Sequence, residues 1–200
     1  MNQTTAIKPR VSDAEIFGAT RACIDRSGAE KFTMAEVAAE AGLTRVQIYN
    51  RFGNRQQLVL ALLGAHASTF ADRLAPELES APTSADAIRT GIMAAIRAAR
   101  SDPYFGMLVL PATAGASRID GAPELALEYS RKLWTPVIEA GLQSGELRSK
   151  LTASEIAHWI GLTELSLFNA SQSFGLSDAE CKTYIDTFII GALAHGENAS

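Results

Sequence analysis

The residues of this sequence best suited to chemistry lie close together, between positions 44 and 55. They carry hydroxyl, amide and guanidinium groups beside one aliphatic side chain, and they are Thr44, Arg45, Val46, Gln47, Tyr49, Asn50, Arg51 and Arg55. Hydrogen-bonding groups next to an apolar tip are what reading base edges in the DNA major groove requires. Tyr49, Arg51 and Arg55 suit phosphates, which orient a protein without reading sequence. The set predicts binding to double-stranded DNA.

Two short helices joined by a tight turn would hold these residues in place. Thr33 with Glu36 forms a capping box for the first helix, and Thr44 with Gln47 forms one for the second. Gly42 lies at the end of the first helix, where the backbone is commonly left-handed. This is the spacing of a helix-turn-helix, whose second helix enters the major groove.

The second helix has one apolar face, since Ile48 and Phe52 are four residues apart and can pack together on the first helix. The remaining residues Arg45, Val46, Gln47, Tyr49 and Asn50 then point away from that face. An alternative from the pattern alone is an ordinary all-α core with a solvated basic edge.

The stretch also resembles the DNA-binding domain of the tetracycline-repressor (TetR) family of bacterial regulators. The matching residues are Thr33, Val37, Ala38, Ala41, Gly42, Leu43, Thr44, Ile48, Tyr49, Phe52, Arg55 and Leu58. The resemblance implies a helical, homodimeric, ligand-responsive repressor, and Thr33 joins the predicted DNA-binding set. Arg51 stands where many members carry His or Tyr, Arg55 where Lys is usual, and Asn50 where an aromatic residue is common. These departures keep polar chemistry and concern the operator sequence.

Charge is distributed unevenly along the chain, whose net charge is −4. Residues 1–60 hold eight basic and six acidic side chains, a net +2, and the remainder holds ten and sixteen, a net −6. One end that faces DNA and one that is repelled from it would produce this asymmetry. Lys8 and Arg10 lie in an N-terminal arm, residues 1–11, that either reaches DNA or is a disordered tail.

The fold class is predicted to be all-α with about nine helices. Residues 1–60 would form a three-helix, homeodomain-like helix-turn-helix domain, and residues 61–200 a helical ligand-binding and dimerisation domain. Residues 54–74 are predicted as one helix, with Pro76 and Pro82 bracketing a linker and a loop at 115–121. Pro136 is expected to kink a helix that Pro123 opens, and the last two helices are expected at 153–174 and 178–195. Further capping boxes are predicted at Ser12, Asn54, Thr152 and Ser177.

The middle helices carry more large apolar side chains than a tight core needs. A pocket between them would bind a small apolar effector, lined by Met93, Tyr104, Phe105, Leu108, Tyr129, Trp134 and Phe168. The alternative is that these residues are simply core.

The last two helices are apolar more than half-way round, which suggests burial on two sides. Ile160, Leu167, Ile185, Phe188 and Ala192 are predicted at a homodimer interface, because the resemblance implies pairing through these helices as a four-helix bundle. Burial inside one larger core is the alternative. A dimer matches a palindromic operator, and release is expected through movement of the 54–74 helix.

Other functions find little support in the sequence. The three histidines are scattered, Glu155 and His158 lack a second di-iron pair, and Cys23 and Cys181 have no metal or redox spacing. No enzyme, metal or cofactor is expected, and neither a bilayer-spanning run nor a signal peptide is recognised, so a cytoplasmic protein with no membrane partner is predicted. The competing class is a helical enzyme or protein-interaction module that uses the helix-turn-helix only for packing.

Overall fold

The computed structural model describes residues 11–109 and 119–194, and all regular structure within these ranges is helical. The all-α prediction is therefore confirmed. The arm at residues 1–10 and most of the loop predicted at 115–121 lie outside the described residues. The chain divides into two compact units, Met1–Leu62 and Leu63–Ser200.

The first unit consists of three helices and the start of a fourth: α1 (Asp13–Ser27), α2 (Met34–Glu40), α3 (Arg45–Phe52) and the beginning of α4 (Arg55–Glu79). The boxes predicted at Ser12, Thr33 and Thr44 are present, and Asn54 Oδ1 accepts a hydrogen bond from the Gln57 amide. Gly42 has a φ of 65°, which its place in the turn requires. The apolar side chains that face inward are fully buried, among them Ile16, Phe32, Ile48 and Leu58.

Helix α4 continues through Pro76 to Glu79, so the linker predicted to begin at Pro76 is wrong. A proline inside a helix removes one backbone hydrogen bond and disturbs the preceding turn. Leu74 and Leu78 lie on either side of Pro76 and are buried in the core of the second unit, which rewards continuation of the helix. The prediction that the helix ends before Pro76 considered only the local cost of a proline and left out the burial of Leu74 and Leu78.

By length and composition alone, α4 could also cross a membrane, which the sequence analysis did not expect. Core helices meet the same criteria, and Leu58, Leu62 and Leu63 of α4 are fully buried in the protein.

The second unit contains the rest of α4 and the helices that follow it. These are α5 (Ser84–Ser101), α6 (Pro103–Val109), α7 (Ala122–Ser144), α8 (Ala153–Phe174), α9 (Asp178–Tyr184), a π-helical segment (Ile185–Ile190) and α10 (Gly191–Ala194). Helix α7 packs along α8 and also contacts α5 and α6. Its Trp134 is completely buried at the centre of the core, together with Ile92, Ile138 and Ile160.

The final helix predicted at 178–195 exists, but it is not a regular α-helix throughout. Within the described residues α9, the π-helical segment and α10 follow one another without a break. Counted as one, they bring the described helices to the predicted nine. Pro136 lies inside α7, and the helix runs on to Ser144.

Asp102 joins α4 to the corner between α5 and α6. One carboxylate oxygen accepts hydrogen bonds from the backbone amides of Tyr104 and Phe105, and the other lies 2.7 Å from His66 Nε2. Burial raises the pKa of Asp102, but these hydrogen bonds outweigh it and leave the pKa below its ordinary value. The ionised carboxylate therefore stabilises the fold above its unfolded-state pKa, and this contribution is lost as the pH falls through the folded-state pKa.

Replacing Asp102 by alanine should lower the free energy of unfolding by about 1–2 kcal/mol at neutral pH, because α6 loses its cap and His66 loses its partner. Asp102→Asn keeps an acceptor for the two amides and should cost less. Urea unfolding at neutral pH measures both variants. Equal midpoints for Asp102→Ala and the unaltered protein would show that this corner contributes nothing to stability.

Candidate DNA-binding surface and effector cavity

Helix α3 presents one face to the core of the first unit and the other to solvent. Ile48 is completely buried, whereas Thr44, Arg45, Val46, Gln47, Tyr49 and Asn50 are all exposed. Val46 is 66% exposed and Tyr49 42%. Aliphatic and aromatic groups among polar ones on an open helix face suit contact with base edges and thymine methyl groups.

Two of these residues also hold the start of α3. Gln47 Oε1 accepts from the backbone N–H of Thr44 at 2.8 Å and from the Thr44 hydroxyl at 3.0 Å. The backbone N–H of Gln47 donates back to that hydroxyl at 3.2 Å. The side-chain NH2 of Gln47 takes no part in this box. Thr33 forms the same arrangement with Glu36 at the start of α2. The boxes orient the helix that carries the exposed face.

Arg51 and Arg55 are placed differently from the sequence expectation. Arg51 donates to the Val11 carbonyl oxygen at 2.6 Å and pairs with Asp13 at 2.6 Å. Arg55 donates to the Ala29 carbonyl oxygen at 2.5 Å, and its guanidinium lies over the Phe32 ring. Both side chains are half-buried and tie α3 and α4 to the rest of the first unit. These contacts give both arginines a packing role in the first unit, and the phosphate contacts proposed for them stay a prediction.

A cavity lies within the second unit, between α4, α5, α6, α7 and α8. Its volume is about 60 Å³, within a wider cleft whose empty space, including the part open to solvent, is about 630 Å³. The lining is almost entirely apolar, with four aromatic rings: Phe70, Phe105, Tyr129 and Phe168. The apolar lining is that of a site for a small apolar molecule, although the volume is below the roughly 300–1,000 Å³ usual for such sites.

Glu164 on α8 is the exception in this apolar lining. Its two carboxylate oxygens accept hydrogen bonds from Ser130 Oγ at 2.8 Å and from Trp134 Nε1 at 3.2 Å. Desolvation by burial raises the pKa of Glu164 to about 7, against the opposing effect of those two hydrogen bonds. The cavity therefore holds an acid that is partly protonated at neutral pH.

Residues 16–62 match the sequence model of bacterial regulatory proteins of the tetR family. This segment is a TetR-family domain. The match spans α2, α3, most of α1 and the start of α4, so it includes the whole exposed face of α3. The DNA-binding regulator predicted from the sequence is thereby confirmed.

Solved structures show the same fold along most of the chain. RolR in complex with resorcinol aligns with a TM-score of 0.73 at 14% identity, over 90% of this chain and 86% of that one. FadR of Thermus thermophilus, a TetR-family repressor in complex with lauroyl-CoA, aligns with a TM-score of 0.70 at 14% identity, over 94% and 98%. The regulator FadR of Bacillus subtilis in complex with stearoyl-CoA gives 0.64 at 16% identity, over 94% and 100%. No curated protein sequence matches significantly.

The structure brings together part of the predicted effector set. Phe105, Leu108, Tyr129 and Phe168 line the cavity. Met93, Tyr104 and Trp134 do not: Met93 packs in the main core, the Tyr104 ring contacts His66, and Trp134 is buried behind Glu164, to which it donates. Sequence reasoning missed Glu164, Ser130 and Phe70, because it searched for large apolar side chains on the middle helices.

The predicted dimerisation set is divided in the same way. Ile160, Leu167 and Ile185 are buried in the core of their own chain, so they cannot form an outer face. Phe188 and Ala192 are exposed. The large apolar residues that are exposed on α8 and the final helix are Trp159, Leu162, Phe174, Tyr184 and Phe188.

Proposed function

We propose that this protein is a transcriptional repressor that binds a palindromic operator as a homodimer and leaves it when a small apolar effector binds. The observation that carries the proposal is the exposed face of α3, Arg45 to Asn50, within a TetR-family domain. A regulator of this kind acts on bacterial DNA, so we place it in the cytoplasm, without catalytic activity.

Contacts to the operator are assigned from the geometry of α3. Arg45, Gln47 and Asn50 carry free donors and suit base edges, and Val46 suits a thymine methyl group. The exposed residues Thr33, Thr44 and Tyr49 carry hydroxyl groups that can donate hydrogen bonds to phosphates. Arg51 acts indirectly, by holding α3 against the start of α1, and Arg55 does so by holding the start of α4 against the loop that follows α1.

The homodimer is supported by apolar surface on α8 and the final helix. Trp159 is 59% exposed and Phe188 is 66% exposed, and the Phe188 ring contacts Tyr184. Large exposed apolar groups rimmed by polar residues are typical of protein interfaces. A two-fold dimer would place two copies of α3 about one helical turn of DNA apart, ~34–36 Å or a multiple.

Control by an effector is supported by the course of α4. This helix starts in the first unit and continues into the second, where its Ala67, Phe70 and Ala71 line the cavity. An effector changes DNA affinity only if it binds the DNA-competent and incompetent forms differently. A shift of α4 on filling of the cavity would supply that difference. The structural relatives solved in complex with stearoyl-CoA and resorcinol support a small-molecule ligand for this fold.

Replacing Arg45 by alanine should weaken operator binding by about 1–3 kcal/mol and relax the sequence requirement at one base pair of each half-site. The operator is first defined by selection from a random DNA library, and fluorescence anisotropy then measures binding as a function of salt. Arg131→Ala, an exposed arginine on α7 of the second unit, is the matched control and should bind as the unaltered protein does. Salt-independent binding, or an unchanged affinity in Arg45→Ala, would contradict the assignment of α3.

A further inference from the structure

We propose that the effector is a lipophilic amine whose ammonium group binds the carboxylate of Glu164. This inference rests on the proposed function and names the chemical class of its ligand. The Glu164 carboxylate, the aromatic lining of the cavity and the absence of a basic side chain among the described lining residues carry it together.

The carboxylate of Glu164 keeps capacity for a ligand. Each of its oxygens accepts one hydrogen bond, Oε2 from Ser130 and Oε1 from Trp134. An ionised carboxylate can accept about four hydrogen bonds, so both oxygens have a free acceptor position. Trp134 is completely buried, which keeps the carboxylate in a fixed orientation at the cavity wall. The protein thus presents a preorganised acceptor to whatever enters the cavity.

Among the described residues that line the cavity, none carries a positive charge to balance that carboxylate. Apart from Glu164, the described residues that line the cavity are apolar or neutral, and Tyr129 is their only other titratable group. Lys132 lies over the Tyr129 ring, but it pairs with Glu128 and does not line this cavity. Desolvation by burial raises the pKa of Glu164 to about 7, against the effect of its two hydrogen bonds. A ligand ammonium would supply the missing positive charge.

The rest of the lining fits a cation with an apolar body. The Phe70 and Phe105 rings lie 4.7 Å apart, and Tyr129 and Phe168 complete an aromatic wall. Aromatic faces attract cations, most strongly where water is excluded. An anionic ligand would meet the charge of Glu164 at close range, and a neutral alcohol would donate a hydrogen bond without balancing the charge. A lipophilic amine satisfies both the carboxylate and the rings.

Benzylamine, benzyl alcohol and benzoate test the proposal, since they share a body and differ in charge. Isothermal titration calorimetry at pH 7 should show that benzylamine binds the full-length protein most tightly and benzoate least. Glu164→Gln keeps the volume and one acceptor oxygen, which can serve Trp134 while the Ser130 hydroxyl accepts from the new NH2 group. It should weaken benzylamine by roughly tenfold to a hundredfold with little change for benzyl alcohol. Glu128→Gln, an exposed carboxylate on α7 paired with Lys132, is the matched control and should leave all three unchanged.

Proton release gives a second measurement that needs no variant. Benzylamine binding requires an ionised Glu164, whose pKa is raised to about 7, so at pH 7 binding should release a fraction of a proton from the protein per ligand bound. Titrations in two buffers of different ionisation enthalpy measure this number, and Glu164→Gln should release none. Equal affinity for amine and alcohol without proton release would overturn the amine assignment and leave the effector-gated repressor standing. A second outcome would overturn both the amine assignment and the effector-gated repressor. In that outcome the protein still binds its operator, none of the three compounds binds the protein, and no other apolar compound affects operator binding.

Discussion

Replacing Gly91 by alanine should destabilise the second unit severely, whereas the same replacement at Gly18 should leave stability unchanged or slightly higher. A Cβ atom on Gly91 of α5 would lie 2.3 Å from Cη2 of Trp134, and two further ring atoms lie within 3.1 Å of it. The Trp134 ring is completely buried, so it can shift only if its neighbours in the core also move. Overpacking of this kind lowers the free energy of unfolding by about 1–3 kcal/mol. Because the contact is so short, we expect a loss at or above the upper end of this range.

Gly18 is the matched control because it also lies within a helix, α1, and a Cβ atom there would meet nothing within 4 Å. Alanine favours helix over glycine by about 0.5–1 kcal/mol, so Gly18→Ala should not destabilise. Urea unfolding followed by far-ultraviolet circular dichroism compares the two variants. Similar midpoints for Gly91→Ala and Gly18→Ala would show that α5 and α7 separate easily around Trp134.

The close packing of Trp134 on Gly91 also helps to orient Glu164 at the cavity wall. Trp134 Nε1 donates to Glu164, so a ring displaced by the new methyl group in Gly91→Ala would disturb the orientation of that carboxylate. Trp134→Phe removes the outer ring that meets the new Cβ atom, and in the Gly91→Ala background it should restore part of the lost stability. The two changes should therefore be coupled, as contacting residues generally are. Strictly additive free energies of unfolding would contradict direct contact.

Local hydrogen-bonding patterns explain why the first unit could be predicted well. A Ser or Thr followed three residues later by Glu or Gln defines a helix start within four residues, and the boxes at Ser12, Thr33, Thr44, Thr152 and Ser177 are all present. The buried face of α3 likewise follows from Ile48 and its helical neighbours. The family match at residues 16–62 covers the part of the chain where such local signals are densest.

Features that depend on distant partners were not predictable in this way. Arg51 and Arg55 were predicted only as DNA contacts, and the sequence pattern did not show their partners within the fold, Asp13 on α1 and Ala29 in the loop after it. Glu164 was overlooked because its role depends on Ser130 and Trp134, some thirty residues earlier. Helical periodicity identifies a face, but it does not show which side chains from another helix approach that face.

The last two helices show the same limit most clearly. Each carries apolar residues on two sides, and periodicity alone does not distinguish the side that meets the core from the side that meets a partner. Ile160 and Ile185 turned out to be completely buried in their own chain, while Trp159 and Phe188 are open to solvent. The adjacent residues Trp159 and Ile160 on α8 therefore lie on different sides of the helix, one facing solvent and the other facing the core. This difference gives a direct test of the proposed dimer.

Placing glutamate at Phe188 or Trp159 should dissociate the dimer without unfolding the chain. Both side chains are more than half exposed in the single chain, so a charge there remains hydrated in the monomer. In the dimer the same charge would be buried without a partner, which is costly. Large aromatic residues often dominate interfaces, so the dissociation constant should rise by a factor of roughly 100 or more. Sedimentation velocity across a concentration series measures this change, and circular dichroism verifies that the helices are retained.

Two further glutamate variants separate the interface from the core and from the general surface. Ile160→Glu introduces a charge at a completely buried position and should unfold the second unit, in contrast to Trp159→Glu one residue earlier. Leu151→Glu changes a 53% exposed leucine in the connection before α8 and should leave both fold and dimer intact. A monomer can contact only one half-site, so Phe188→Glu should also weaken binding to the full operator far more than to an isolated half-site. If the unaltered protein sediments as a monomer at micromolar concentration, or if Phe188→Glu and Leu151→Glu dimerise equally well, the proposed interface is wrong.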